Sequence, residues 1–279
     1  MSGVLYEVRD KIAYITIEGE NDLNILTAEI IADLASALED FRDRRDASVA
    51  VVAGAGTKAW SAGGDLKGPV STHPEEFTLE GNREAYWWPR HGVRAATGHL
   101  LNLEVDKPVI AAVNGYCLGV ALMIMTRQTD IRVAGTGATF GFTETKRGLC
   151  GGAAIAQLGN QIPHAVEMYM VMTGNSIDAT EALRAGLVNF VVEPEDCNAK
   201  AESIAQDIAQ ISIQVIKAEK EGAIRSRTMD SKSAWRLSNA LYTIQVHEPD
   251  AYKGAESFLN ERSRKGPDQN DSTTERTSK

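Results

Sequence analysis

The sequence reads WSAGGDLK at residues 60–67, shortly after a continuous apolar run at residues 49–53. A short apolar run that stops at a glycine is typical of a strand buried on both faces, and functional residues often follow such strands. Gly63 and Gly64 have no side chain, so their backbone can approach a ligand closely and direct N–H groups toward it. One such N–H group could bind an oxyanion. The competing interpretation is a tight turn in which Asp65 caps the next segment.

A second junction of the same kind is found at residues 114–123, NGYCLGVALM, after the apolar run at residues 109–113. It predicts a strand, a glycine-bearing turn and a helix that ends near Arg127. A helix N-terminus presents unpaired N–H groups and partial positive charge, which stabilise a developing enolate or tetrahedral oxygen. The pattern also fits an ordinary connection between a strand and a helix.

A carboxylate follows a third strand, where residues 140–145 read FGFTET. Glu144 stands at the end of this apolar strand among uncharged neighbours. Burial disfavours the charged form of a carboxyl group and raises its pKa, which suits a general acid or base. The competing interpretation is an ordinary salt bridge from Glu144 to Lys146 or Arg147.

Strands and helices alternate along most of the chain, which predicts an α/β fold. One helix is capped by Thr27 and carries its apolar residues at helical spacing. After about Pro194 the strand signals end and four helical segments follow. The tail has no apolar residue, so it cannot offset its ordering entropy. The predicted regions are a core domain at 1–194, a helical region at 195–265 and a disordered tail at 266–279.

The charge balance and the cysteine pattern exclude several classes of protein. Lys and Arg number 29 against 38 Asp and Glu, a net charge of −9, so we expect no nucleic-acid partner. The three cysteines are widely spaced and form no CxxC pair, which predicts neither disulfides nor a metal site. No signal peptide and no run of about 18 apolar residues is present, which predicts a cytoplasmic protein without a membrane segment.

These segments, in this order and at this separation, resemble the enoyl-CoA hydratase/isomerase family, the crotonase superfamily. The first oxyanion segment of that family has the form (F/W)-S-A-G-(A/G)-D-(L/I). Other segments resemble further signatures of the family, and the resemblance covers most of the chain. They are residues 107–116, 140–148, 172–174, 181–189 and 254–262.

The resemblance implies a crotonase-like spiral of repeated β-β-α units with a C-terminal helical region that forms a homotrimer, often a dimer of trimers. It implies an acyl-CoA substrate and no cofactor beyond the coenzyme A of that thioester. The implied oxyanion donors are the N–H groups of Gly64 and Val120. Glu144 matches the second catalytic glutamate of the hydratases and the sole base of several isomerases. The implied CoA contacts are Gly64, Asp65, Leu66 and Lys67.

Two residues depart from the family pattern. Met123 stands where hydratases carry their first catalytic glutamate, and Val120 places a branched side chain where the family usually has none. Hydration needs a water that is activated while a proton is delivered, which one carboxylate serves less readily than two. A double-bond shift needs one base only. We therefore predict an acyl-CoA enzyme in which Glu144 is the acid/base and isomerase-type chemistry is slightly favoured over hydration.

Two alternatives stay open. Met123 and Val120 also fit a non-catalytic CoA-ester-binding subunit with a decayed site, and the same scaffold could support a hydrolase, a decarboxylase or a C–C lyase. His91 and His99 lie near an aromatic cluster at residues 86–88. In the family this region lines the acyl pocket, and a bulky aromatic or cyclic acyl group would suit it.

Overall fold

The computed structural model describes residues 3–65, 92–150 and 153–265. Ten strands within these ranges form two sheets. The strands are β1 (Gly3–Arg9), β2 (Ile12–Glu18), β3 (Val49–Gly54), β4 (Ala59–Ser61), β5 (Val109–Val113), β6 (Tyr116–Leu118), β7 (Ile131–Gly135), β8 (Thr139–Gly141), β9 (Ile177–Asp178) and β10 (Phe190–Val192). The larger sheet has the order β1-β2-β3-β5-β7-β10, and the smaller sheet has the order β4-β6-β8-β9.

Ten α-helices lie in the same ranges, together with short 3-10 turns, one of which spans Thr143–Arg147. The helices are α1 (Ala28–Asp43), α2 (Gly92–Asn102), α3 (Val120–Gln128), α4 (Ala153–Gly159), α5 (His164–Thr173), α6 (Ala179–Arg184), α7 (Cys197–Ala209), α8 (Ile213–Ser226), α9 (Ser231–Gln245) and α10 (Pro249–Lys265). No helix of the described residues is both long enough and apolar enough to cross a membrane. The cytoplasmic location stays a prediction.

The larger sheet is parallel except for the β1–β2 pair, and helices cover both of its faces. Every residue of β3 and β5 is buried, as the apolar runs predict for strands covered on both faces. One face packs against α1, whose predicted cap is confirmed because Thr27 Oγ1 accepts the Ile30 N–H at 3.3 Å. The opposite face packs against α7, which places small apolar residues at every fourth position.

The packing of α7 places the boundary between the two parts of the chain later than the predicted residue 194. Contacts group the chain into two compact units, Met1–Ile213 and Gln214–Lys279. The boundary predicted after residue 194 would separate α7 from the sheet that it covers. Ala201 and Ala205 of α7 are fully buried there. The last strand therefore ends before the first unit does, because that unit also includes α7 and continues to Ile213.

The smaller sheet carries the candidate site. Its strands β4, β6 and β8 are parallel neighbours, and β9 pairs antiparallel with β8. Trp60 on β4 is fully buried, and its indole N–H donates to Val52 O of β3 at 3.1 Å. The aromatic residue of the first motif therefore fixes β4 to the core of the molecule.

Candidate active site

Three segments with candidate residues leave the smaller sheet at one edge. Ser61 of β4 lies beside Cys117 of β6, and Leu118 of β6 lies beside Gly141 of β8. Because the carboxyl ends of parallel strands meet at one edge of a sheet, segments that follow them lie close together. The segments are residues 62–65 after β4, 119–120 after β6 and 142–144 after β8.

A short backbone ladder holds the first segment to the loop before α1. The Leu26 N–H donates to Gly63 O, and the Asp65 N–H donates to Leu26 O, both at 2.9 Å. Leu26 and Gly64 thus form a parallel bridge. In a parallel bridge, the two hydrogen bonds to Leu26 are made by the residues before and after Gly64. The N–H of Gly64 itself therefore points away from this loop. No residue that the structure describes accepts a hydrogen bond from it.

Gly63 brings the first segment against the second. Its φ of +107° lies in the region that favours glycine, and a Cβ at this position would lie 2.9 Å from Leu118 O. Its N–H donates to Ser61 Oγ at 3.1 Å. Ser61 is fully buried, so its hydroxyl serves the backbone of this turn. Both the backbone angle and the close approach therefore require glycine at residue 63.

The second segment begins α3. Gly119 has a φ of +59° and donates its N–H to Gly141 O at 2.8 Å, which ties the end of β6 to β8. Val120 is the first residue of α3, and N–H groups in a first helical turn have no acceptor inside the helix. Within the described ranges, the Val120 N–H has no acceptor elsewhere either. The start of α3 therefore brings an unpaired donor and partial positive charge to the sheet edge.

The carboxylate of Glu144 lies against this helix start. Glu144 belongs to the 3-10 turn Thr143–Arg147 that follows β8. A Cβ built on Gly119 would lie only 2.7 Å from Glu144 Oε1, so glycine at residue 119 makes room for the carboxylate. Glu144 Oε2 is buried, and none of the described residues forms a hydrogen bond to it. The structure thus brings the segments of Gly64, Val120 and Glu144 together.

The two basic residues after Glu144 bond elsewhere. Lys146 Nζ donates to Asn175 Oδ1 at 2.7 Å. Arg147 Nη1 donates to Thr143 Oγ1 at 2.8 Å and to Thr143 O at 3.1 Å. Among the described side chains, none forms a salt bridge with Glu144. The competing interpretation, an ordinary salt bridge from Glu144 to Lys146 or Arg147, is therefore wrong.

Burial raises the pKa of Glu144 above its ordinary value, because the charged carboxylate loses solvation. The backbone N–H of Glu144 and the charge of Arg147 act in the opposite direction and have smaller effects. A carboxyl group with a raised pKa is a stronger base once ionised, and its pKa lies nearer to neutral pH, where proton transfer is most efficient.

The raised pKa also predicts how stability depends on pH. Between the unfolded and folded pKa values of Glu144, the folded state binds more protons, so the free energy of unfolding falls as the pH rises through this window. Glu144→Gln removes this effect, and we expect the variant to have a higher Tm than the wild type at neutral pH. Thermal denaturation measures the difference, which should disappear below about pH 4. A wild type that is the more stable protein at neutral pH would contradict this expectation.

A model of the enoyl-CoA hydratase/isomerase family matches residues 7–267 of the chain. The chain belongs to this family. The (E)-benzylidenesuccinyl-CoA hydratase of Thauera aromatica is 34% identical over 257 residues, which cover 91% of this chain and 95% of that protein. The short-chain-enoyl-CoA hydratase of Clostridium acetobutylicum is 28% identical over 267 residues, which cover 95% and 98%. The protein is thus an enzyme of the enoyl-CoA hydratase type, whose family acts on acyl-CoA.

Solved structures of enoyl-CoA hydratases share the fold. One from Bacillus anthracis has a TM-score of 0.82 at 26% identity, over 93% of this chain and 97% of that chain. One from Mycobacterium tuberculosis H37Rv has a TM-score of 0.80 at 29% identity, over 94% and 97%. The predicted crotonase fold, with mixed α/β structure and C-terminal helices, is confirmed.

Both residues that depart from the family pattern lie in the first part of α3. Val120 and Met123 are partly buried and pack against the main hydrophobic core. The Met123 N–H donates to Gly119 O at 3.2 Å, which is the first regular bond of the helix. No residue of α3 is acidic. The helix α3 therefore brings backbone N–H donors to the candidate site and contributes no carboxylate to it.

Other candidates lie apart from this sheet edge or outside the described residues. His99 of α2 and Glu39 of α1 form a surface pair, in which His99 Nε2 lies 3.1 Å from Glu39 Oε1. Cys117 is completely buried, which raises the pKa of its thiol, so it does not provide a thiolate nucleophile. Leu66, Lys67, His91 and the aromatic cluster at residues 86–88 lie outside the described residues.

The loop at residues 23–26 carries no motif that predicts a role at the site. This loop pairs with the first segment, because the Ala62 N–H also donates to Leu23 O at 2.8 Å. One sequence signal was available, since Asn24 stands between apolar residues at the end of a polar turn. An asparagine in such a place is typical of a left-handed backbone conformation.

Proposed function

We propose that the protein transfers protons at the carbon atoms beside the thioester carbonyl of an acyl-CoA, with Glu144 as the acid/base and the amides of Gly64 and Val120 as the oxyanion hole. One observation carries this proposal. The partly buried Glu144 lies against Gly119 at the start of α3, and its buried Oε2 atom has no partner among the described residues. Unpaired N–H donors on both neighbouring segments support it.

In the proposed first step, a 3-enoyl-CoA is bound and the Glu144 carboxylate removes a proton from C2, the carbon next to the carbonyl. The electron pair of the broken C–H bond forms a C=C bond, and the carbonyl electrons move to oxygen to give an enolate. The N–H groups of Gly64 and Val120 stabilise this oxygen, and the positive end of α3 adds to the effect. In the second step, the carbonyl re-forms, the electrons of the enolate C=C bond form the C2=C3 bond, and the electrons of the original C3=C4 bond take the proton that Glu144 returns at C4. The double bond has then shifted without oxidation or the addition of water.

The apolar Met123 favours this single-base reaction over hydration. Hydration places a water on one carbon while a proton is delivered to the other, and two carboxylates divide these tasks well. In α3 the residue that corresponds to the first hydratase glutamate is Met123. With Glu144 as the one carboxylate in both steps, the double-bond shift is the simpler reaction for this site.

Hydration is the second candidate, and the relatives favour it. The Thauera aromatica and Clostridium acetobutylicum proteins are both named as hydratases, and a Citrobacter koseri relative at 30% identity is named carnitinyl-CoA dehydratase. If this chain also adds water, another polar group must hold the water in place of the missing glutamate.

The test uses 2-enoyl-CoA and 3-enoyl-CoA esters with linear, branched and aromatic acyl groups in deuterated water, with Glu144→Gln as the control. We expect double-bond migration and deuterium incorporation that depend on Glu144. Addition of water without migration would instead support the hydratase. Binding of the esters without any proton exchange would overturn both enzymatic candidates and support a CoA-ester-binding subunit.

The two ends of the proposed substrate are coenzyme A and the acyl group, and each is assigned to a part of the chain. Coenzyme A is proposed to lie along Gly64, Asp65, Leu66 and Lys67. The acyl group is proposed to be bulky and aromatic or cyclic, because the chain has an aromatic cluster at residues 86–88 and one relative is named for benzylidenesuccinyl-CoA. A higher kcat/KM for aromatic than for short linear esters in the same panel is the expected result, and the reverse order would contradict it.

The C-terminal helices are proposed to form a homotrimer or a dimer of trimers. Large apolar side chains on α9 and α10 are more than half exposed in the isolated chain, which favours an interface. They are Trp235, Tyr242, Ile244, Tyr252 and Leu259. Sedimentation should give the mass of three or six chains, and a monomer at micromolar concentration would contradict this proposal.

A further inference from the structure

Asn24 is a completely buried polar residue in the loop before α1. Its exposed fraction is 0%, and its φ of +50° lies in the left-handed region that asparagine tolerates better than most residues. Its Oδ1 accepts the Gly19 N–H at 3.0 Å. Its Nδ2 donates to Ala55 O at 2.9 Å and to Ala59 O at 2.8 Å. The side chain thus makes three hydrogen bonds, all to the backbone.

These bonds connect the loop to the strand that leads into the first segment. Ala59 is the first residue of β4, and Ala55 follows β3. On either side of Asn24, the backbone of the loop bonds to the first segment, through Leu23 and Leu26. The side chain of Asn24 therefore fixes the start of β4 to the same loop that aligns residues 62–65 after it.

We propose that Asn24 is a positioning residue for the Gly64 amide, which holds this N–H in the direction required by the thioester oxygen. The inference rests on the proposed oxyanion role of Gly64. The Leu26–Gly64 bridge points the Gly64 N–H away from the loop, so a shift of the loop moves that N–H directly. The one other backbone bond between the described loop and this segment, from the Ala62 N–H to Leu23 O, would shift together with it. Asn24 itself is completely buried and its side chain bonds only to backbone, so it acts on the Gly64 amide through the segment that it aligns.

Two variants remove the Asn24 bonds in different ways. Asn24→Asp keeps the shape and places a carboxylate oxygen against two carbonyls. Asn24→Gly removes the side chain but keeps the left-handed backbone, which glycine adopts without strain. The matched controls are Gln128→Glu and Gln128→Ala. Gln128 is also a buried amide whose Nε2 donates to two carbonyls, those of Leu100 and Leu103, but it lies at the far end of α3.

The probe is acetyl-CoA isotopically labelled at its carbonyl carbon, because its small acyl group makes the least demand on the shape of the acyl pocket. Infrared difference spectra report the carbonyl stretch, which moves to lower frequency when N–H groups polarise the bond. A parallel measurement gives kcat for proton exchange. We expect a smaller shift in both Asn24 variants and a loss of kcat of up to about 100-fold, as for a misplaced catalytic group, with the affinity for CoA little changed. The Gln128 variants should lose stability but keep the full shift.

The outcomes separate this inference from the proposed function. A wild-type protein that binds acetyl-CoA without a carbonyl shift would overturn the oxyanion hole, and the role of Asn24 with it. A wild-type shift that persists unchanged in a folded Asn24→Gly would overturn the role of Asn24 alone. Equal losses in the Asn24 and Gln128 variants would show a general effect of stability and would also overturn it.

Discussion

Glu144→Gln is expected to lower the rate of proton exchange by a factor on the order of 10²–10⁴, the usual contribution of a general acid or base. The amide of glutamine has nearly the same shape as the carboxyl group but cannot accept a proton from carbon. Binding of CoA esters should be nearly unchanged. Deuterium incorporation, followed by mass spectrometry, measures the rate, and calorimetry measures the affinity. A variant that exchanges protons at the wild-type rate would show that another residue is the base.

The control for this variant is Glu144→Asp, which keeps a carboxylate but withdraws it by one methylene group. It should retain more activity than the glutamine variant because the base is present but displaced. The pH dependence adds a second check. Only the ionised carboxylate accepts a proton, so wild-type kcat/KM should fall as the pH drops through the pKa of Glu144, which burial raises. The residual activity of Glu144→Gln should lack this acidic limb.

Gly64→Pro is expected to lower kcat by a factor on the order of 10²–10³, the measured effect of removing one oxyanion donor. Proline has no N–H, so this change deletes the proposed donor itself. The matched control is Gly64→Ala, which keeps the N–H and should retain a larger part of the activity. Circular dichroism verifies that both variants are folded. Equal activities of the two variants would show that the Gly64 amide does not bind the thioester oxygen.

The sequence predicted those parts of the fold that depend on local pattern. The continuous apolar runs predicted β3 and β5, and Thr27 predicted the start of α1. The segments around Gly64, Val120 and Glu144 were recognisable because glycine-bearing turns and an isolated carboxylate follow strands. The structure brings these segments to one sheet edge, as parallel strands require.

The other features of the fold and of the candidate site depend on contacts between residues that are distant in the sequence. Strands β4 and β6 contain three residues each, which is too short for a period to be detected, and their pairing partners decide their conformation. The helix α7 looks like the other C-terminal helices in sequence but covers the larger sheet. The contribution of Asn24 depends on its bonds to Ala55 and Ala59, which lie more than thirty residues away. The surroundings of Glu144 are likewise not evident from the sequence, because only the folded chain shows that Lys146 and Arg147 bond elsewhere.

The buried Oε2 atom of Glu144, which has no partner among the described residues, has a consequence for the history of the protein. A chain released from selection for catalysis drifts toward residues that improve folding, and a neutral side chain at residue 144 would do so. Under the proposed function, the acid/base chemistry of Glu144 offsets the lower free energy of unfolding that its raised pKa predicts at neutral pH. Loss of this residue should therefore be among the first changes in any descendant that keeps the fold and gives up the reaction.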